Sequence, residues 1–153
     1  METTPEQERL AKILQENPRY SKEGYYFVNQ AFCSSIGINK ALNRKKSDGV
    51  ICPLINEIFN GIRDTAIEQF GPLAYMVFSH WGIRGLGDFG VILSQLVNSN
   101  LIKIIKSASN IGEEFSKKYG ERSLEEAFNV VPVIEYNHEQ GELGVSYRAS
   151  KIL

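Results

Sequence analysis

Apolar side chains recur at three- and four-residue spacing through residues 53–70, the pattern of one face of a helix. The members of this face are Leu54, Ile55, Ile58, Phe59, Ile62 and Ala66. Pro53 suits the first helical turn, where its missing backbone donor is not needed. Gly71 followed by Pro72 favours the end of one helix and the start of another. The pattern therefore predicts a long amphipathic helix over residues 53–70.

Two shorter helices are predicted after it. Residues 73–78 are apolar without a polar gap, which is typical of a short helix buried on every side and ended here by Gly82. The glycine-rich residues 84–87 indicate a turn, and apolar spacing over residues 88–98 predicts a third helix. A β-branched run over residues 101–105 predicts a short strand. This order of elements resembles a winged helix-turn-helix.

The N-terminal third is predicted to hold two helices and a basic loop. Thr4 and Gln7 form a capping-box pattern at the start of the first helix. Residues 22–36 predict the second helix. One interpretation of its aromatic residues is that they stack on the bases of a nucleic acid. Core packing is favoured instead, because these residues keep helical spacing. Residues 40–49 read as a loop.

The C-terminal part predicts two short helices and a hairpin. Asn110 and Glu113 are placed to cap a helix over residues 110–119, and Ser123 opens a single turn ending at Phe128. Two runs rich in β-branched and aromatic residues, separated by a turn, predict a hairpin over residues 130–149.

The predicted fold class is mainly helical α+β, with a winged-helix-like three-helix core and a C-terminal β-hairpin. The length of 153 residues predicts one domain. Its segments are residues 1–49, 53–105, 110–128 and 130–149.

Composition excludes several classes of protein. The net charge of -1 gives no overall field that favours nucleic acid or anionic lipid. Cys33 and Cys52 form neither a disulfide framework nor a metal-binding pattern. No apolar run reaches the roughly 18 residues that span a membrane, and the acidic, polar N-terminus is unlike a signal peptide. We therefore expect a cytoplasmic protein with no membrane partner, cofactor or metal.

Seven basic residues are candidates for contact with nucleic acid. Four belong to the 40–49 loop and three flank the 88–98 helix: Lys40, Arg44, Lys45, Lys46, Arg84, Lys103 and Lys106. As a recognition helix, residues 88–98 would point Val91, Ser94, Gln95 and Asn98 outward, and glutamine and asparagine can read adenine. The helix holds no cation, however, and phosphate contacts normally supply most of the affinity. Protein contact is favoured over a DNA groove.

His80, beside Trp81, is the one candidate for a general base, with Asp88 or Asp64 to orient it. No nucleophile or metal pattern accompanies it, and capping of backbone carbonyls is the structural alternative. Asp88-Phe89-Gly90 spells a kinase magnesium motif, but the other kinase motifs are missing. Acidic residues of the 53–70 helix have no histidine at ligand spacing. No catalytic or metal-binding residue is assigned.

A set of short motifs over residues 10–128 resembles an uncharacterised family of short bacterial proteins. The motifs are Asn17-Pro18-Arg19-Tyr20, Tyr26-Phe27-Val28, Gly61-Ile62-Arg63, Gln69-Phe70-Gly71-Pro72, His80-Trp81-Gly82-Ile83, Asp88-Phe89-Gly90, Leu96-Val97 and Glu125-Glu126-Ala127-Phe128. The resemblance implies a single bacterial, intracellular domain and no known activity. It transfers no site residue, and the hairpin after Phe128 is less typical of the family.

The predicted function is a non-enzymatic binding or adaptor protein of the bacterial cytoplasm. Its protein partner is unknown, and a homodimer through the hairpin edge is one possibility, since a strand edge presents unpaired backbone groups. A nucleic-acid-binding, winged-helix-like protein is the alternative. A small enzyme centred on His80 is the second alternative.

Overall fold

The computed structural model describes residues 4–41, 54–102 and 110–149, without the side chains of residues 36–41 and 148–149. Over these ranges, helices precede a two-stranded antiparallel hairpin, which confirms the mainly helical α+β class. The elements are α1 (Pro5–Glu16), α2 (Lys22–Ala41), α3 (Ile55–Phe70), α4 (Ala74–His80), α5 (Leu86–Asn98), α6 (Ile111–Tyr119), α7 (Leu124–Ala127), β1 (Val130–Asn137) and β2 (Glu142–Ala149).

Most of the residues predicted to begin or end a helix do so in the structure. Thr4 and Gln7 form the capping box of α1. Gly71 ends α3 with a φ of 54°, a left-handed conformation that glycine adopts without steric cost. The Ser123 hydroxyl accepts from the backbone N–H of Glu126 at the start of α7.

The end of α2 and the start of α6 differ from the predictions. Helix α2 continues past residue 36 to Ala41, so Lys40 lies on a helix rather than in the predicted loop. Asn110 caps no backbone group of α6 with its side chain; its amide instead donates to Glu114 Oε1 at 3.2 Å, and not to Glu113.

The prediction that residues 73–78 are buried on every side is wrong. Ala74 and Phe78, four residues apart, form the buried stripe of α4, whereas the side chains of Leu73, Tyr75 and Met76 are exposed. Neighbouring described elements pack on one side of this short helix only. The other side is apolar surface.

The chain after the Trp81 turn also departs from the prediction. Helix α5 begins at Leu86, so Gly87 belongs to its first turn rather than to the glycine-rich loop. Leu101 and Ile102 lie in a bend instead of a strand, because both backbone N–H groups donate to the Leu96 carbonyl and so cap α5. Residues 103–105 of the predicted strand lie outside the described residues.

An aromatic cluster forms the centre of the core. The Phe78 ring is fully buried, and its centroid lies 5.0 Å from that of Phe27, 5.0 Å from that of Phe89 and 4.9 Å from that of Phe128. The cluster thus joins α2, α4, α5 and the end of α7. Core packing by the aromatic residues of α2 is confirmed.

Helices α5 and α6 are antiparallel and touch through small residues. A Cβ placed on Gly90 would overlap the Ser116 hydroxyl and lie 2.5 Å from the Gly112 carbonyl oxygen. The Ser116 hydroxyl donates to the Gly87 carbonyl at 2.9 Å. Among the described helices α5 packs most extensively on α6. The helices of the 53–105 segment therefore share their core with α2 and α6.

Replacing Gly90 by alanine should lower the free energy of unfolding by about 2 kcal/mol, because overpacking at a backbone contact outweighs the gain in helix propensity. Gly24→Ala is the matched control: it is also helical, and its added Cβ would meet neighbours at 3.6 Å or more. We expect that variant to be unchanged or more stable. Urea denaturation measures both, and equal stabilities would contradict the close contact.

Candidate functional site

Of the seven basic residues predicted to contact nucleic acid, the structure describes Arg84 and the backbone of Lys40. Arg84 is exposed just before α5, and its backbone N–H donates to Asp88 Oδ2 at 2.8 Å. Lys40 is a residue of α2, but its side chain is not among the described atoms. Arg44, Lys45, Lys46, Lys103 and Lys106 lie outside the described residues. Their convergence on nucleic acid stays a prediction.

The surface of α5 is largely occupied by other helices. Gln95 Oε1 accepts from the Tyr25 hydroxyl of α2 at 2.7 Å. Ser94 lies against Gly112 of α6, where a Cβ would overlap its hydroxyl. Of the four positions predicted to face outward, Val91 and Asn98 are the exposed ones. This packing argues against α5 as a helix that enters a DNA groove.

His80 lies at the exposed C-terminal end of α4. The carbonyls that end this helix accept from the backbone N–H groups of Trp81, Gly82 and Ile83, so backbone groups perform the capping considered for His80. Asp64 is exposed, with its carboxylate 3.9 Å from Arg63 Nε. Within the described ranges, neither Asp64 nor Asp88 bonds to His80 to orient it as a base: Asp64 lies near Arg63, and Asp88 is bonded to Tyr20 and to the backbone before α5.

Asp88 is the most heavily bonded polar residue of the region. Its Oδ1 accepts from the Tyr20 hydroxyl at 2.5 Å and lies 3.1 Å from Arg19 Nη2. Its Oδ2 accepts from the backbone N–H groups of Arg84 and Gly85. The carboxylate sits in the first turn of α5, where the helix dipole favours an anion, as predicted. These contacts fix the turn after α1 to the start of α5.

Burial raises the pKa of two neighbouring tyrosines, Tyr20 and Tyr25. Burial, and then the hydrogen bond to Asp88, raise the pKa of Tyr20 well above its usual range. Burial raises the pKa of Tyr25 from 10.0 to about 12. Both hydroxyls donate to an acceptor, Tyr20 to Asp88 and Tyr25 to Gln95, so the two tyrosines link α5 to the turn after α1 and to α2. Within the described ranges, no three metal-ligating side chains come together.

The hairpin carries an uncovered apolar face. In its register, Pro132 pairs with Tyr147, Ile134 with Val145, and Tyr136 with Leu143. Because side chains alternate across a strand, these six lie on one face, which we call the apolar hairpin face. All six are exposed. Glu135, Ser146 and Gly144 are among the residues of the opposite face.

Exposure along β2 shows that the hairpin projects from the helices. The Tyr147 ring packs against Gly71, and β2 packs on α3. The exposed fraction rises from 41% at Tyr147 to 58% at Val145 and 71% at Leu143. The apolar hairpin face is therefore anchored at its base and free towards its tip.

The hairpin was predicted from the sequence, but its apolar face was not. Its signal was the alternation of apolar with small or polar residues in β2: Leu143, Val145 and Tyr147 against Gly144 and Ser146. The contact between Tyr20 and Asp88 had no such signal, because 68 residues separate the partners.

Comparison with known proteins gives no relative. No family model, curated protein or solved structure matches this chain. The resemblance to short bacterial proteins stays a prediction. No helix in the described part of the chain has the length and apolar character needed to cross a bilayer.

The burial of Tyr25 makes stability depend on alkaline pH. The unfolded side chain ionises near 10 and the folded one near 12, so its stabilisation is complete below pH 10 and is lost as pH rises through 12. Tyr25→Phe should lose less unfolding free energy over this window than the wild type. Tyr26→Phe, an exposed neighbour on α2, should follow the wild type. Denaturation at several pH values measures this, and parallel curves for all three proteins would contradict it.

Proposed function

We propose that this chain is a non-enzymatic protein-binding or adaptor protein, and that the apolar hairpin face is its contact surface. One observation carries the proposal: six large apolar residues share a face of a two-stranded sheet and all remain exposed. Contiguous exposed apolar surface of this kind marks interaction sites in folded proteins. The bacterial cytoplasm is proposed as its setting, on the resemblance and the composition.

The isolated state of the hairpin supports the same proposal. Two strands alone are marginally stable in water and need a further strand or a packed layer. Among the described residues, such a layer is present at the base of the hairpin, where Tyr147 packs on Gly71. A protein partner would supply the missing layer towards the tip.

The remaining polar groups support binding rather than catalysis. Asp88 accepts from the Tyr20 hydroxyl and from a backbone N–H group, and Tyr25 donates to Gln95, so these groups are hydrogen-bonded inside the fold. His80 is exposed on a short helix. A reaction needs a group that is both available and oriented, and these residues offer one or the other.

Nucleic-acid binding is the alternative, and exposed Arg84 is the described residue that favours it. The two functions differ in their response to salt, because phosphate contacts release counterions. For a protein-binding function we expect weak nucleic-acid affinity with little dependence on salt. Fluorescence anisotropy with a labelled duplex across a salt series measures this. A steep loss of affinity with salt, reduced by Arg84→Gln, would favour the alternative.

Leu143→Lys should abolish capture of proteins from a bacterial lysate by the immobilised chain, because it places a charge on the apolar hairpin face. Ser146→Lys adds the same charge on the opposite face of the same strand and should capture as the wild type does. Quantitative mass spectrometry compares the three baits. Equal capture by all three would show that binding, if any, uses another surface.

A further inference from the structure

We propose that the apolar hairpin face binds a second copy of this chain, with the two faces stacked about a twofold axis. This inference rests on the proposed function and specifies its partner. The axis would lie between the two sheets and run across the strands at the Ile134–Val145 pair, which is the middle of the three exposed rows of the face. Each hairpin would then provide the packed layer that the other lacks.

The chemistry of the face suits its own copy. None of its six residues carries a charge, so twofold stacking brings no like charges together. A twofold interface uses the same patch on both subunits, and residue i contacts j while j contacts i. The row of Tyr136 and Leu143 would therefore meet the row of Pro132 and Tyr147 in both directions.

The available area reaches what a stable pair needs. Between 41% and 71% of the surface of five of these residues is exposed: Ile134, Tyr136, Leu143, Val145 and Tyr147. With Pro132, the face offers accessible surface on the order of 600 Å², most of it apolar. Two copies stacked would bury on the order of 1,200 Å² in total, the lower end of specific, stable interfaces.

Two features favour a dimer contact between the hairpin faces over one between strand edges. Pro132 removes a backbone donor from β1, which disfavours addition of a strand to that edge. Strand β2 packs on α3 near its C-terminal end, which limits access to the other edge. The homodimer considered from the sequence is thus moved from the hairpin edge to its face.

Analytical ultracentrifugation of the full chain over a wide concentration range tests the proposal. We expect a monomer–dimer equilibrium in the wild type. Val145→Lys should weaken it by roughly a hundredfold or more, because two desolvated lysines would meet at the axis. Ser146→Lys, on the opposite face, should dimerise as the wild type does. Circular dichroism checks that each variant keeps its helices.

Cross-linking provides a second readout that does not depend on a disruptive charge. With Cys33 and Cys52 replaced by serine, Val145→Cys should be joined to its own copy by a bismaleimide cross-linker, since a residue at the axis faces its copy across roughly the 10 Å that separates stacked sheets. Ser146→Cys should remain monomeric on a denaturing gel. Equal cross-linking of both would overturn the stacked geometry.

The outcomes separate this inference from the proposed function. A monomeric wild type overturns the dimer, as does a dimer that Val145→Lys leaves unchanged. If the monomer still captures another protein and Leu143→Lys does not, protein binding through the face survives with a different partner. If neither dimerisation nor capture depends on the face, both proposals fail.

Discussion

The contact between the backbones of α5 and α6 is the constraint on which the rest of the structure depends. Gly90 and Gly112 let the helices approach so closely that a methyl group at either position would overlap the other helix. This contact fixes one side of α5, while Tyr25 of α2 fixes another through Gln95. With both sides held, Phe89 points into the aromatic cluster around Phe78, and Asp88 receives the turn that carries Tyr20.

Holding α5 in this way decides which surfaces are available for function. The helix that would read a groove is packed on two neighbours, and the buried acid is saturated by donors. The aromatic cluster around Phe78 joins four helical segments in the core. The surfaces that the described helices leave exposed include two apolar ones, the outer side of α4 and the apolar hairpin face.

Much of the fold could be predicted from interactions between residues that are close in the sequence. The capping box at Thr4, the stop at Gly71 and the cap at Ser123 each act within a few residues of their own position. The errors arose where the partner was distant. Residues 73–78 look buried on all sides, but only Ala74 and Phe78 find neighbours. The bend at Leu101 follows from capping of Leu96, which β propensity does not report.

The sequence by itself determined the mainly helical class, several of the helix ends and the hairpin, because spacing, caps and turn residues act over short distances. Tertiary structure alone decided that Tyr20 meets Asp88, that small residues join α5 to α6, and that the other described residues leave one hairpin face exposed. The physical reason is that periodicity shows which side of an element is apolar, while only packing of distant segments shows whether anything lies against it.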